Sequence, residues 1–144
     1  MLPRIEYSVT VPVPADVAFR AFLDLERLLH RGIYDEILWI EGEPWKVGSR
    51  LRFSLLQPIR TTISAVVTSI NPPRAVSLLN HALGVTGEQN VFFNPAPKGA
   101  TMVRVTMDFV GTSTELSEKE IQSKVAFVIK DAMDTMAALC KRRA

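Results

Sequence analysis

Apolar positions recur at three- and four-residue spacing for longest near the end of the chain. Ile121, Val125, Val128, Ile129, Ala132, Met133, Met136, Leu139 and Cys140 follow this spacing. At 100° per residue they fill one stripe about 140° wide, a face made for burial. Lys124, Lys130, Asp131 and Asp134 fall on the opposite side. The start of the helix is specified twice. Ser117-Glu118-Lys119-Glu120 reads as a capping box, and Leu116 and Ile121 stand where a hydrophobic staple places its two partners. No Gly or Pro interrupts the run, so one helix of about 25 residues and about 37 Å is expected.

Earlier in the chain the period shortens to two. Arg4–Val11 turns Ile5, Tyr7, Val9 and Val11 to one face and Glu6, Ser8 and Thr10 to the other. Pro14 and Asp16 suit the first turn of a short helix through Leu25, and Asp24 suits the cap of a second one over Leu25–Arg31, ended by Gly32. Strands are then expected over Ile37–Glu41, Ser49–Leu56, Thr61–Ile70, Ala75–Ala82, Thr86–Phe93 and Thr101–Val110. Gly42-Glu43-Pro44, Pro58, Asn71-Pro72-Pro73, Gly84 and Asn94–Gly99 punctuate them. No further helix is expected before Ser117. Consecutive strands joined by short turns predict an antiparallel meander. With no repeat, linker or shift of composition, residues 1–144 form one expected domain.

Composition narrows the function classes. A net charge of +2 is too small for a nucleic-acid footprint, and Lys141, Arg142 and Arg143 suit the negative end of a helix dipole instead. The single cysteine excludes an internal disulfide, and its place on the apolar stripe predicts a buried thiol. No stretch reaches 18 apolar residues, and the N-terminus lacks a signal-peptide layout. No membrane span and a cytoplasmic location are therefore expected.

Several short signatures, in this order and spacing, carry a resemblance. They are Val9-Thr10-Val11-Pro12-Val13-Pro14-Ala15-Asp16-Val17-Ala18-Phe19, Gly42-Glu43-Pro44-Trp45-Lys46-Val47-Gly48, Asn71-Pro72-Pro73-Arg74, Gly84-Val85-Thr86-Gly87-Glu88-Gln89 and Pro97-Lys98-Gly99-Ala100-Thr101. Together with the element order they resemble the START-like superfamily, also called SRPBCC, and within it the polyketide cyclase/dehydrase-like branch. Members often carry a Trp-rich segment after the second helix, whereas here Trp39 lies further downstream. The resemblance implies an α+β helix-grip fold. In it a curved antiparallel sheet of about seven strands wraps around the long C-terminal helix, with two short helices after strand one and an apolar cavity between sheet and helix. It further implies a small hydrophobic or amphipathic ligand, with only some members catalysing a reaction on it. No cofactor is implied.

On that frame, alternation offers Phe53, Leu55, Ile63, Ala65, Val67, Val103, Val105, Met107 and Phe109 as the sheet wall of the cavity. Val125, Ile129, Met133 and Met136 would join from the helix, while Ile121, Val128 and Leu139 would anchor it, and Phe22 would close one end. The same residues suit a plain packed core, and the sequence leaves both readings open. Tyr34 stands near the expected entrance, and Gln122, at the edge of the apolar stripe, could offer an amide to a ligand. For catalysis, Glu88 beside Gly87 and His81 are the candidate acid and base at the mouth of the cavity, where burial could move a pKa toward neutrality. Tyr34, Asn90 and Arg104 are further polar candidates. His30 and His81 have no metal-ligand spacing with Cys140 or a carboxylate, so no metal site is expected. Phe127 breaks the pattern on the outer side of the helix, a place for a partner or a homodimer contact. Ligand binding is the expected function. A cyclase or dehydratase and a chaperone-activator-like interaction module are the alternatives.

Overall fold

In the computed structural model, which describes residues 2–144 and only the backbone at 30 and 31, seven alternating segments become seven strands. They are β1 (Ile5–Val11), β2 (Tyr34–Glu41), β3 (Arg50–Leu55), β4 (Thr61–Asn71), β5 (Ala75–Ala82), β6 (Val85–Pro95) and β7 (Thr101–Thr112). All pair antiparallel in one curved sheet of order β1-β7-β6-β5-β4-β3-β2. The first strand thus pairs with the last, and the second lies at the far edge. Helix α1 (Ala15–Leu23) and a 3-10 helix over Leu25–Arg31 carry the chain between the two edges.

The long helix α2 (Glu118–Arg143) lies against the concave face. Its predicted cap is formed: Glu120 N–H donates to Ser117 Oγ at 3.1 Å, and Ser117 N–H donates to Glu120 Oε1 at 3.5 Å. A hydrogen bond ties its outer flank to β1: Tyr7 Oη donates to Asp134 Oδ1 at 2.8 Å. Within the helix Lys130 Nζ pairs with Asp134 Oδ2 at 2.6 Å, and it lies 5.9 Å from the centre of the Tyr7 ring.

Several boundaries differ from expectation. β2 begins at Tyr34 rather than Ile37, and β6 and β7 run two residues past their expected ends. The second short helix is 3-10 rather than α, and Asp24 does not cap it; its carboxylate accepts from Arg27 Nε at 3.3 Å instead. One 3-10 turn, Pro97–Gly99, interrupts a stretch expected to have no helix. Between β5 and β6, Leu83 and Gly84 take φ of 52° and 77°, the left-handed pair that a two-residue hairpin turn requires.

The core is uneven. Its largest cluster joins Phe19 of α1, Val91 and Phe93 of β6, Val103 and Val105 of β7, and Met133, Met136 and Cys140 of α2. Two smaller clusters sit toward the β2 edge, one around Leu51, Ala65, Val67 and Leu78, the other around Ile33, Tyr34 and Leu55. Trp45 bridges the first of these to the main cluster. Its ring meets Trp39 at 5.2 Å and Phe22 at 5.9 Å, and its N–H donates to Leu23 O at 3.1 Å.

Candidate functional site: a cavity under the long helix

Between these clusters the concave face is not filled. A cavity of about 180 Å³ separates α2 from the sheet. From the helix it is lined by Ile121, Val125, Val128, Ile129, Ala132, Met136 and Leu139. The sheet contributes Tyr34, Phe53, Leu55 and Ile63 from β2 to β4, then Leu78, Asn80, Gly87, Gln89, Met107 and Phe109 from β5 to β7. Phe22, Leu25, Leu28 and Trp45 close one end, and Leu83 of the hairpin tip also reaches the cavity. Phe53, Ile63, Val125 and Val128 face inward yet remain only half-buried, which is the mark of an unfilled interior.

Polar groups are few on this wall. Tyr34 is 7% exposed, its ring centroid 6.0 Å from that of Phe53. Burial pushes its phenol well above the ordinary tyrosine range, and the charge of Asp131 adds to the effect, so the hydroxyl stays protonated. Asn80 and Gln89 project from neighbouring strands, and Asn80 Nδ2 donates to Gln89 Oε1 at 3.1 Å. Directly across the ladder from Asn80 is Gly87, where a Cβ would stand 2.5 Å from Met107 Sδ. The charged lining residues, Asp24, Arg27 and Lys124, come from the helical side and keep part of their surface in solvent.

Strand parity sorts the expected site residues. Phe22, Tyr34, Phe53, Leu55, Ile63, Met107, Phe109, Val125, Ile129 and Met136 lie on the wall. Val67, Val105 and Met133 do not: each faces inward but is covered by neighbouring side chains in the packed clusters, at 1%, 0% and 1% exposure. Ala65 and Val103 share that fate. Gln122 is half-buried off the wall, one position and about 100° from Ile121. Ile121, Val128 and Leu139, expected as anchors, line the cavity instead.

Glu88 and His81 are on the wrong side of the sheet. Gly87 and Gln89 face the cavity, so Glu88 between them faces out, opposite Asp108 in the ladder. By the same alternation His81 points away beside inward Asn80, with its Nδ1 2.8 Å from Thr86 Oγ1. Asn90 and Arg104 are off the wall too; Arg104 stacks over Phe92 at 5.4 Å. The amide pair Asn80–Gln89 is what the sequence reading missed. Its signal was parity, since Asn80 shares a face with Val76 and Leu78, and Gln89 shares one with Val91 and Phe93.

Among the described residues, no group of three His, Cys, Asp or Glu side chains could hold a metal ion, and no helix is long and apolar enough to cross a membrane. The side chain of His30 lies outside the described residues. Phe127 is 44% exposed on the outer side of α2.

No family model and no curated protein sequence matches the chain. Solved structures do. The Zhui aromatase/cyclase from Streptomyces sp. R1128 is 16% identical at a TM-score of 0.76, over 99% of this chain and 96% of that one. A START superfamily protein from Mycobacterium smegmatis is 11% identical at 0.78, over 98% and 99%. Ara h 8.0201 is 14% identical at 0.77, over 97% and 98%. At such identities the likeness is one of fold, and the chain has the START-like helix-grip fold.

Proposed function

We propose that the protein binds a small hydrophobic or amphipathic molecule in the cavity between its sheet and α2. The observation that carries this reading is the unfilled, apolar interior itself, with Phe53, Ile63 and Val128 left half-covered where a packed core would bury them. An apolar cavity of about 150 Å³ can hold a benzene ring, so this one suits a body of one or two rings. Burial of the ligand would supply the affinity, at roughly 25 cal/mol per Å² of apolar surface removed from water.

One structural neighbour is named an aromatase/cyclase, and the cyclase/dehydrase-like branch keeps catalysis as the second reading. It is the weaker one here. Glu88 and His81, the expected acid and base, face away from the cavity. Purified protein should take up hydrophobic probes, seen as a rise in melting temperature and as bound mass in native mass spectrometry. Filling the space with Ala132→Phe should abolish both effects; a wild-type chain that takes up nothing sinks the proposal.

We further propose that the outer side of α2 is a contact face for a partner or a second copy of the chain, a reading supported by the exposed ring of Phe127. Phe127→Asp should lower the sedimentation coefficient, and an unchanged profile removes the dimer. The buried, lone Cys140 accords with a cytoplasmic location.

A further inference from the structure

Within the cavity, two polar side chains meet on the sheet wall at the Asn80–Gln89 pair. Their mutual hydrogen bond uses one N–H of Asn80 and one lone pair of Gln89. The Asn80 carbonyl and the Gln89 amino group are left over. Reversing both amides exchanges these roles and again leaves one acceptor and one donor. Around them stand Leu78, Ala82, Val85 and Met107, which offer no hydrogen bonds through their side chains. Gly87 faces Asn80 across the ladder and adds no side chain of its own; the Met107 thioether takes the space that a Cβ there would need.

Charge decides what such a pair would accept. The lining cations, Arg27 and Lys124, belong to the 3-10 helix and to α2, the opposite wall, and Arg27 Nε is already bonded to Asp24. None of the described residues lining the cavity from the sheet is a lysine or arginine. A carboxylate placed against Asn80 and Gln89 would therefore be buried with no opposite charge beside it, which is costly. A hydrocarbon would leave the two amide groups without partners, also at a cost.

We propose that the Asn80–Gln89 pair is the recognition point of the cavity, selecting an apolar ligand with an uncharged oxygen function, a ketone, phenol or alcohol. A hydrocarbon or a carboxylate of the same shape is rejected. This inference rests on the cavity being the ligand site. It makes Asn80 and Gln89 specificity-determining residues and does not assign them a role in any reaction.

The test is calorimetric, on the full chain, with four matched probes: propylbenzene, propiophenone, 4-propylphenol and 4-propylbenzoate. The ketone and the phenol should bind about tenfold more tightly than propylbenzene, the ratio that one well-made hydrogen bond gives. The benzoate should bind most weakly. In a folded Asn80→Leu/Gln89→Met variant the tenfold ratio should fall to about one. Equal affinity of ketone, phenol and hydrocarbon for the wild-type chain overturns the inference without touching the cavity reading. So does a benzoate that binds best, or a ratio that survives in the variant. If none of the four binds, the cavity reading falls and this inference with it.

Discussion

The two ends of the concave face treat the same helix in different ways. Toward the β1–β7 edge, Phe93, Val103 and Val105 are fully covered, because α1 crosses there and Phe19 packs its ring edge-on to Phe93 at 5.1 Å. Toward the β2–β3 edge, Phe53 and Ile63 also face inward but meet open space under Val128. Alternation is equally good in both places. What differs is the third layer: α1 fills one end, while a single 3-10 helix and the Trp45 ring only cap the other. A buried apolar pattern therefore reports which way a side chain points, and not whether anything meets it there.

The sharpest way to break this comparison is to truncate one phenylalanine at each end. Phe93→Ala should cost about 3–5 kcal/mol, because it opens a void in close-packed surroundings. Phe53→Ala should cost about half as much, since its ring already borders empty space and its removal enlarges a cavity that exists. Chemical denaturation measures both, and equal losses would mean that the two ends are packed alike.

A smaller effect sharpens the same contrast through pH. The Tyr34 phenol titrates higher in the folded protein than in the unfolded chain, chiefly because it is buried and secondarily because of Asp131. Its contribution is complete below the unfolded tyrosine pKa of about 10 and is lost as pH rises above it, because the unfolded chain then releases a proton that the folded one keeps. Tyr7, raised first by its hydrogen bond to Asp134, adds a loss of the same sign on the exposed flank of α2. Stability should fall above about pH 10, and Tyr34→Phe should flatten that fall more than Tyr7→Phe. An unaltered alkaline slope in Tyr34→Phe would show that its hydroxyl is not shielded from water.

Much of this architecture was legible in the residues. The capping box at Ser117, the stripe along α2 and the alternation of β3, β4 and β7 are local signals, and each appears in the fold. The cavity was legible in outline only. Val67, Val105 and Met133 share a periodicity with Phe53, Ile63 and Met136, yet the first three are covered and the others line space. That distinction depends on where α1 crosses and on how Trp45 leans, neither of which leaves a mark in the strand pattern. Glu88 teaches the converse. Its neighbour Gly87 does face the cavity, but a strand turns consecutive side chains to opposite faces. Polar side chains that do reach the wall from the middle of the sheet include Asn80 and Gln89, which interrupt inward-facing apolar series and so read, one strand at a time, as blemishes.

One consequence follows from the pairing of β1 with β7. Ile5 lies beside Met107 and Val11 beside Thr101, so the first strand has no sheet neighbour until nearly all the others have been made. Closing a loop of that length carries an entropic cost that grows only slowly with its size, but it must be met before the contacts that reward it exist. On a ribosome, the β2–β6 meander can zip from hairpin to hairpin while β1 waits, its Tyr7 and Val9 face uncovered. On that order the chamber under α2 would close only once β7 and the helix are in place. Folding of this chain should be slow for its length, and the waiting strand is where a chaperone would find it.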